Sequence, residues 1–240
     1  NDASSTGIGS IDSAGSVNND AGFSICTHTG TGSNATIKHG LSTAPKMILT
    51  KKRSASGGWQ VGHEGIGWQN GIYLEDTSGS TGDAGAWNST APTSSIFYVG
   101  NSSFTNQSSA TYVSYIFAEK QGYSKIGSYI GNGNADGIFV YTGFKPAFFI
   151  CKRYNDAGYD WLMYDNKRQV SFNVIDDFLK PNLSDAETTG NANQSLDFLS
   201  NGVKHRGNGA SSNGSGASYI YYAVAENPFV TSTGVPATAR

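Results

Sequence analysis

The chain has 240 residues, of which 37% are hydrophobic, and this is enough for one large or two ordinary domains, each with its own core. Its 16 basic and 18 acidic residues give a net charge of −2, which disfavours binding to a nucleic acid or an anionic membrane surface, and we expect neither partner. The sequence contains no apolar run of about 18 residues, so we expect no membrane insertion.

Charged residues make up only 14% of the chain, well below the roughly 25% of ordinary soluble domains. Glycine, serine, threonine and asparagine take their place, and the predicted surface is therefore neutral and polar. Such a surface generates little electrostatic repulsion between copies. It suits an extracellular or virion protein whose neighbours are other copies of itself or sugars.

The first segment, residues 1–21, contains almost no large apolar side chains. We predict that it is a linker, an arm, or a strand lent to a neighbouring subunit. It begins with neither an initiator methionine nor a basic and then apolar signal sequence. We therefore expect that an upstream part has been removed or that the numbering begins inside a longer product.

The remainder of the chain contains two halves that are similar in sequence. The stretch GFSICTHTGTGSNATIKHGLSTAPKMILTKKRSASGGWQ aligns with GYSKIGSYIGNGNADGIFVYTGFKPAFFICKRYNDAGYDW, with Pro45 on Pro146 and Lys51 on Lys152. The segments that close the two halves, TYVSYIFAE and SYIYYAVAE, also match. This self-similarity predicts a tandem duplication with one unit at 22–121 and a second unit with a C-terminal tail at 122–240.

Both units are predicted to be rich in strands. The closing segments are dense in tyrosine and β-branched residues, and the short apolar runs PKMILTKK and PAFFICKR are opened by a proline and ended by a basic pair. Clusters of glycine and asparagine at short intervals indicate turns. The sequence therefore predicts an all-β fold of two tandem, duplicated antiparallel β-sandwich units that are jelly-roll-like.

Two segments are predicted exceptions to this β pattern. Residues 174–180, VIDDFLK, could form one or two helical turns. In 182–187, NLSDAE, Ser184 could cap a short helix that carries Glu187 at its third position.

Glu119 and Glu226 invite comparison with the paired carboxylates of glycosidases. They occupy matching places at the ends of repeated strands, however, which favours a structural role. Sequence spacing alone does not pair the other carboxylates, and the chain has no nucleophile elbow, phosphate-binding loop or dinucleotide motif. We predict that the protein is not an enzyme and has no catalytic residue, with a polysaccharide depolymerase as the weakest alternative.

The sequence offers no clear metal or cofactor site. NGNADG (132–137) resembles the start of a calcium loop, but Gly143 stands where a glutamate is required, so an asparagine and glycine turn is favoured. The histidines show no zinc-ligand spacing. Cys26 and Cys151 could form at most one disulfide, and their non-equivalent places in the repeats favour isolated buried thiols. We expect no metal and no cofactor.

Aromatic side chains are the candidate ligand contacts, because sugar rings stack on them. Trp59 and Trp161 match across the repeat, which favours core packing. Trp68 and Trp87 have no partner in the second unit. Our candidate ligand-binding residues are these two tryptophans together with Tyr73 and Tyr159.

The duplicated segments quoted above, LDFLSNGVKHR and the ending YIYYAVAENPFVTSTGVPATAR resemble the C-terminal region of tail-fibre-like structural proteins of marine and environmental bacteriophages. In that family the region often follows a concanavalin-like (LamG) domain. The resemblance extends from about residue 20 to Arg240, and its most specific part is the Ala-Glu-Asn-Pro-Phe ending. The family supplies no catalytic motif to carry over to this chain.

The resemblance implies a virion appendage or another extracellular location, and a non-enzymatic structural and adhesive role. It implies partners of two kinds, namely other copies of the chain in a homo-oligomer or fibre, and polysaccharide on the host surface. Two alternatives stay open. They are a stand-alone carbohydrate-binding (lectin-like) module and a subunit of an extracellular filament.

Overall fold

The computed structural model describes residues 1–169 and 172–228, which form two compact units. Unit 1 comprises Asn1–Glu75 and Ser80–Glu119, and unit 2 comprises Asp76–Gly79 and Lys120–Arg240. The described residues contain sixteen strands, and every pairing between the strands is antiparallel. The predicted all-β sandwich fold is confirmed. The predicted tail at 229–240 lies outside the described residues.

Unit 1 has a large sheet in the order β1-β2-β9-β4-β5-β6-β7 and a small sheet in which β3 pairs with β8. Its core contains buried side chains from both sheets, among them Ile48, Phe97 and Ile116. Two short helices are α1 (Ala3–Thr6) and α2 (Ala84–Trp87), and Glu64–Ile66 forms a 3-10 turn. The strands are β1 (Ser13–Asn18), β2 (Phe23–Thr29), β3 (Ala35–Lys38), β4 (Met47–Lys52), β5 (Trp59–His63), β6 (Asn70–Tyr73), β7 (Thr81–Gly82), β8 (Ile96–Val99) and β9 (Thr111–Phe117).

Unit 2 has a sheet in the order β10-β16-β12-β13 and a second sheet in the order β11-β15-β14. Its core likewise contains side chains from both sheets, including Phe149, Tyr164 and Val203. Ala192–Gln194 forms a 3-10 turn. The strands are β10 (Ser124–Ile130), β11 (Phe139–Tyr141), β12 (Pro146–Arg153), β13 (Trp161–Asp165), β14 (Leu196–Leu199), β15 (Gly202–His205) and β16 (Ser218–Ala225).

The strands β2-β9-β4-β5 of unit 1 and β10-β16-β12-β13 of unit 2 follow the same order. Their registers also correspond, because Lys51 pairs with Trp59 in unit 1 and Lys152 pairs with Trp161 in unit 2. The four strands expected from the repeated apolar segments are β4, β9, β12 and β16. The duplication itself stays a prediction, which these matching registers support.

A buried asparagine ties together two loops of unit 1. The Oδ1 atom of Asn106 accepts a hydrogen bond from the Thr31 N–H (2.8 Å), and its Nδ2 atom donates to the carbonyls of Ser33 (2.6 Å) and Gly100 (2.7 Å). Asn106 is fully buried. One loop joins β2 to β3 and the other joins β8 to β9, so this amide links two of the four connections between the two sheets of unit 1.

Asn213 makes the corresponding bonds in unit 2. Its Oδ1 atom accepts from the Asn132 N–H (3.0 Å), and its Nδ2 atom donates to the carbonyls of Asn134 (3.0 Å) and Gly207 (2.9 Å). Asn213 is also fully buried. The loops that it joins connect β10 to β11 and β15 to β16, and the asparagine therefore positions β11 relative to the larger sheet.

A buried tyrosine hydroxyl supports each of these loops. The Tyr112 hydroxyl donates to the carbonyl of Ser103 (2.9 Å) and accepts from the N–H of Gln107 (2.8 Å). In unit 2, the Tyr219 hydroxyl donates to Ala210 O (2.7 Å) and accepts from Gly214 N–H (2.7 Å). Because these tyrosines lie on β9 and β16, the repeated strands also anchor the loops that precede them.

The expectation of a free or exchanged N-terminal arm is wrong. Strand β1 pairs along its whole length with β2 of the same unit, and Ile11 forms a bridge with Ile37. An added Cβ on Gly15 would lie 2.0 Å from the carbonyl oxygen of Ile25. The small residues of this segment therefore permit close backbone pairing at the sheet edge, where one face needs no large apolar side chain.

The helices expected at 174–180 and 182–187 are absent, because neither segment has a helical residue. Ile175 forms a bridge with Leu196, and Phe178 forms a bridge with Thr188. Ile175 and Phe178 are both buried in the core of unit 2. Tertiary packing of these apolar side chains overrides the weak helical pattern.

We expect Asn106→Asp to lower the free energy of unfolding by about 2–4 kcal/mol, because the carbonyls of Ser33 and Gly100 would lose their donor and face a carboxylate. Urea unfolding measures this change. Asn19→Asp is the matched control, because Asn19 uses its Oδ1 atom to accept from Ser42 N–H (2.7 Å) and aspartate retains that acceptor. Equal losses in the two variants would contradict the assigned role of Asn106.

Candidate functional site

Trp68 and Trp87 are buried in the core of unit 1 rather than displayed at its surface. Trp87 has no exposed area and Trp68 is 7% exposed. Their ring centroids lie 5.8 Å apart at an angle of 85°, in an edge-to-face arrangement. A buried indole cannot stack on a sugar, so the expectation that these two tryptophans contact a ligand is wrong.

Strand β5 explains why unit 2 has no tryptophans that correspond to Trp68 and Trp87. An added Cβ on Gly62 would lie 2.7 Å from ring atoms of both Trp68 and Trp87. Gly62 pairs with Ile48 in unit 1, and in the matching register of unit 2 Tyr164 pairs with Phe149. The two indoles therefore occupy the core space above a glycine where unit 2 has a buried tyrosine.

Tyr73 and Tyr159 are each half-buried, and they lie in different units. The ring of Tyr73 packs against Phe104 with centroids 5.0 Å apart. The guanidinium carbon of Arg153 lies 4.0 Å from the ring centroid of Tyr159, and the Tyr159 carbonyl accepts a hydrogen bond from the ammonium of Lys152. Internal contacts thus engage both rings, and the site expected at these four residues is not assembled as one cluster in either unit.

The two glutamates at the ends of the matching strands each form an ion pair with a lysine. Glu119 lies 3.3 Å from Lys46, which also pairs with Glu64, and Glu226 lies 2.6 Å from Lys145. The two glutamates occupy matching places and make the same kind of contact, although Lys46 follows Pro45 and Lys145 precedes Pro146. This arrangement fits the structural interpretation of both carboxylates.

The other polar candidates are engaged in local structure. The described residues contain no group of three or more histidine, cysteine, aspartate or glutamate side chains suited to hold a metal ion. In NGNADG, the side chains of Asn132 and Asn134 accept hydrogen bonds from backbone N–H groups two residues later, at 3.0 and 2.9 Å. Cys26 and Cys151 are free and buried, and burial raises the pKa of each thiol to about 12.

The strongest candidate for a binding surface is the outward face of the sheet β11-β15-β14, which we call the outer face of unit 2. Val140, Val203 and Phe198 point into the core. Because side chains alternate along a strand, their neighbours point outward. The outer face consists of Phe139, Tyr141, Asp197, Leu199, Gly202 and Lys204.

Two aromatic rings are exposed side by side on this face. Phe139 is 43% exposed and Tyr141 is 61% exposed. The ring of Phe139 lies over Gly202, where an added Cβ would be 2.7 Å from the ring. The pair forms an aromatic platform on β11, and the ring of Phe139 extends over the neighbouring strand β15.

A cleft of about 510 Å³ lies beside β14, and Asp197 is the outer-face residue that lines it. The side chain of Asp197 is only 7% exposed, its Oδ2 atom accepts from Arg206 Nε (2.5 Å), and its buried Oδ1 atom has no hydrogen-bond partner among the described residues. Asp176 accepts from Gln169 Nε2 (2.9 Å). The lining residues are Val174, Asp176, Ala192, Ser195, Asp197 and Arg206.

This arrangement can bind a molecule that has one apolar face and several hydroxyl groups. The rings offer a flat apolar surface, while the carboxylates accept hydrogen bonds and Arg206 donates them. On β3 the outward positions on either side of the buried Ile37 are Thr36 and Lys38, so unit 1 has no matching aromatic pair. The repeat alone did not show this, because its alignment places Phe139 on Lys38 and Tyr141 on Gly40.

We expect Gly62→Ala to destabilise unit 1 by about 1–3 kcal/mol, because the new methyl group would overpack the two indoles. Gly82→Ala is the matched control, since an added Cβ there meets nothing within 4 Å. Thermal unfolding followed by tryptophan fluorescence measures both. An unchanged Gly62→Ala protein would contradict the placement of Trp68 and Trp87 above Gly62.

A buried histidine should make unit 2 sensitive to acid. Desolvation, aided by the charge of Lys204, lowers the pKa of His205 from 6.5 to about 3, and neither ring nitrogen has a hydrogen-bond partner among the described residues. The unfolded chain therefore binds the proton first. Stability should fall as the pH drops from about 6.5 towards 3, by up to about 1.4 kcal/mol per pH unit for this group.

His205→Val copies Val99, which occupies the matching position in unit 1, and we expect it to flatten this pH dependence. Urea unfolding at pH values between 7 and 4 gives the slope for each protein. Parallel curves for the two proteins would show that His205 does not contribute.

Among the described residues, no helix is long and apolar enough to cross a membrane. No curated protein matches the chain, and neither does any solved structure. One protein family matches residues 1–228, and its description is a domain of unknown function, DUF7483. This match covers both sandwich units as far as the described residues extend, and the chain therefore belongs to the DUF7483 family.

Proposed function

We propose that the chain is a non-enzymatic structural and adhesive module of a phage tail fibre or a similar extracellular fibre. The observation that carries the proposal is the exposed aromatic pair of Phe139 and Tyr141 on a regular sheet. Exposed apolar groups that lie next to one another are typical of surfaces that bind a partner. The sequence resemblance to phage tail-fibre-like proteins supports the proposed location, which is a virion appendage or another extracellular structure.

The proposed absence of enzymatic activity is supported by the two most suggestive carboxylates. Glu119 and Glu226, at matching places in the two units, form ion pairs with Lys46 and Lys145. A catalytic pair would need different environments for its acid and its base. Their similar settings favour a structural role for both residues.

The proposed partners are other copies of the chain and polysaccharide on a host surface. A net charge of −2 over 240 residues provides little repulsion between copies, which favours assembly into a homo-oligomer or fibre. A stand-alone carbohydrate-binding module is the second candidate. The cleft that contains Asp197 and Arg206 favours it, because this cleft combines hydrogen-bond donors and acceptors.

Two measurements on the purified chain test the proposal. Light scattering gives its mass in solution, and flow cytometry with fluorescently labelled protein gives its binding to a panel of environmental bacteria. We expect a defined oligomer and adhesion to some strains, with labelled serum albumin as the non-binding control. A monomer at high concentration that adheres to no strain would contradict the proposal.

A further inference from the structure

We infer that the outer face of unit 2 and its adjoining cleft form a binding site for a neutral glycan. One sugar ring stacks on Phe139 and Tyr141, and hydroxyl groups further along the glycan bind Asp197 and Arg206. This inference rests on the proposed adhesive function and specifies the residues and the ligand chemistry.

The register of the strands places the two parts of the site on one surface. Phe139 pairs with Lys204, and Lys204 pairs with Asp197, so the three residues form one row across the sheet. Neighbouring strands lie about 4.8 Å apart, which puts the backbones of Phe139 and Asp197 about 10 Å from each other. That span suits an oligosaccharide that lies across the strands.

The backbone under the aromatic part of the site is fixed by the sheet. Phe139 and Tyr141 lie on the same face of β11, and Val140 between them is buried in the core. The pairing of β11 with β15 therefore sets the spacing of the two aromatic residues before a ligand arrives. Such preorganisation of the backbone favours affinity.

Asp197 provides the polar anchor. Its side chain is more than nine-tenths buried and lines the cleft, and Oδ1 has no donor among the described residues. A buried carboxylate oxygen without a donor is costly, and a hydroxyl group entering the cleft would satisfy it. Arg206 holds the other oxygen through Nε, so the carboxylate keeps its orientation.

The charges near the site favour a neutral ligand. Lys204 pairs with Asp136 at 2.7 Å, and Arg206 pairs with Asp197. Asp176 adds another carboxylate to the cleft. Both cations are therefore already compensated and carboxylates outnumber them, so a uronic or sialic acid would meet repulsion where a neutral sugar would not.

The size and lining of the cleft agree with this ligand class. Its volume of about 510 Å³ lies within the roughly 300–1,000 Å³ of small-molecule sites. Val174, which is 41% exposed, offers an apolar wall, and Ser195 offers a hydroxyl group.

Unit 1 contains an internal control for this site. At the positions that match Phe139, Tyr141 and Lys204, it carries Thr36, Lys38 and Tyr98. The single aromatic residue, Tyr98, is half-buried. Tyr98→Ala therefore removes an aromatic side chain from the corresponding face without touching the proposed site.

The full chain, fluorescently labelled, is first applied to an array of neutral, uronic-acid and sialylated oligosaccharides. Calorimetric titration with the best neutral oligosaccharide then compares wild type with Phe139→Ala, Tyr141→Ala, Asp197→Asn and Tyr98→Ala. We expect each of the first three substitutions to weaken binding by about tenfold or more and Tyr98→Ala to leave it unchanged. Phe139 and Tyr141 are exposed, so their variants test the site even if Asp197→Asn destabilises unit 2.

The inference is overturned if no neutral glycan binds, if acidic glycans are preferred, or if Phe139→Ala and Tyr141→Ala retain wild-type affinity. The same variants in the bacterial adhesion assay separate this inference from the proposed function. Wild type and both variants adhering equally would preserve the adhesive role and eliminate this site. A wild type that adheres to no strain would eliminate the adhesive role, and the array would then decide the glycan site alone.

Discussion

One buried amide in each unit links two of the loops that connect its two sheets. Asn106 and Asn213 are fully buried, and each bonds three backbone groups in two separate loops. Backbone groups buried in irregular loops need such partners, because leaving them unpaired would cost more than the bonds contribute. These bonds fix the loops that lead into and out of the smaller sheet of each unit.

The two units have the same strand order in their larger sheets, but different side chains fill their cores. In unit 1, Trp68 and Trp87 cover Gly62, whereas in unit 2 Tyr164 itself enters the core from the matching position of its strand. Large aromatic volume is thus supplied from a loop and a short helix in one unit and from the strand in the other. The strand order tolerates this exchange because a core requires filled volume and does not prescribe which element supplies it.

The same freedom allows unit 2 to carry a surface that unit 1 lacks. Phe139 and Tyr141 face outward on β11, whereas Thr36 and Lys38 face outward on β3. Outward positions do not contribute to the core, so they can change without disturbing the fold. An adhesive role for the module therefore requires only one of its two sandwiches to carry the contact residues.

The sequence by itself determined the fold class and the four repeated strands β4, β9, β12 and β16, because alternating tyrosine and β-branched residues with bounding turns are local features of the chain. It also singled out asymmetric aromatic residues as the informative ones. Only the tertiary structure decided that Trp68 and Trp87 lie inside while Phe139 and Tyr141 lie outside. Periodicity shows which residues share a face, but whether that face meets the core depends on residues distant in the sequence, as does the pairing of the N-terminal segment with β2.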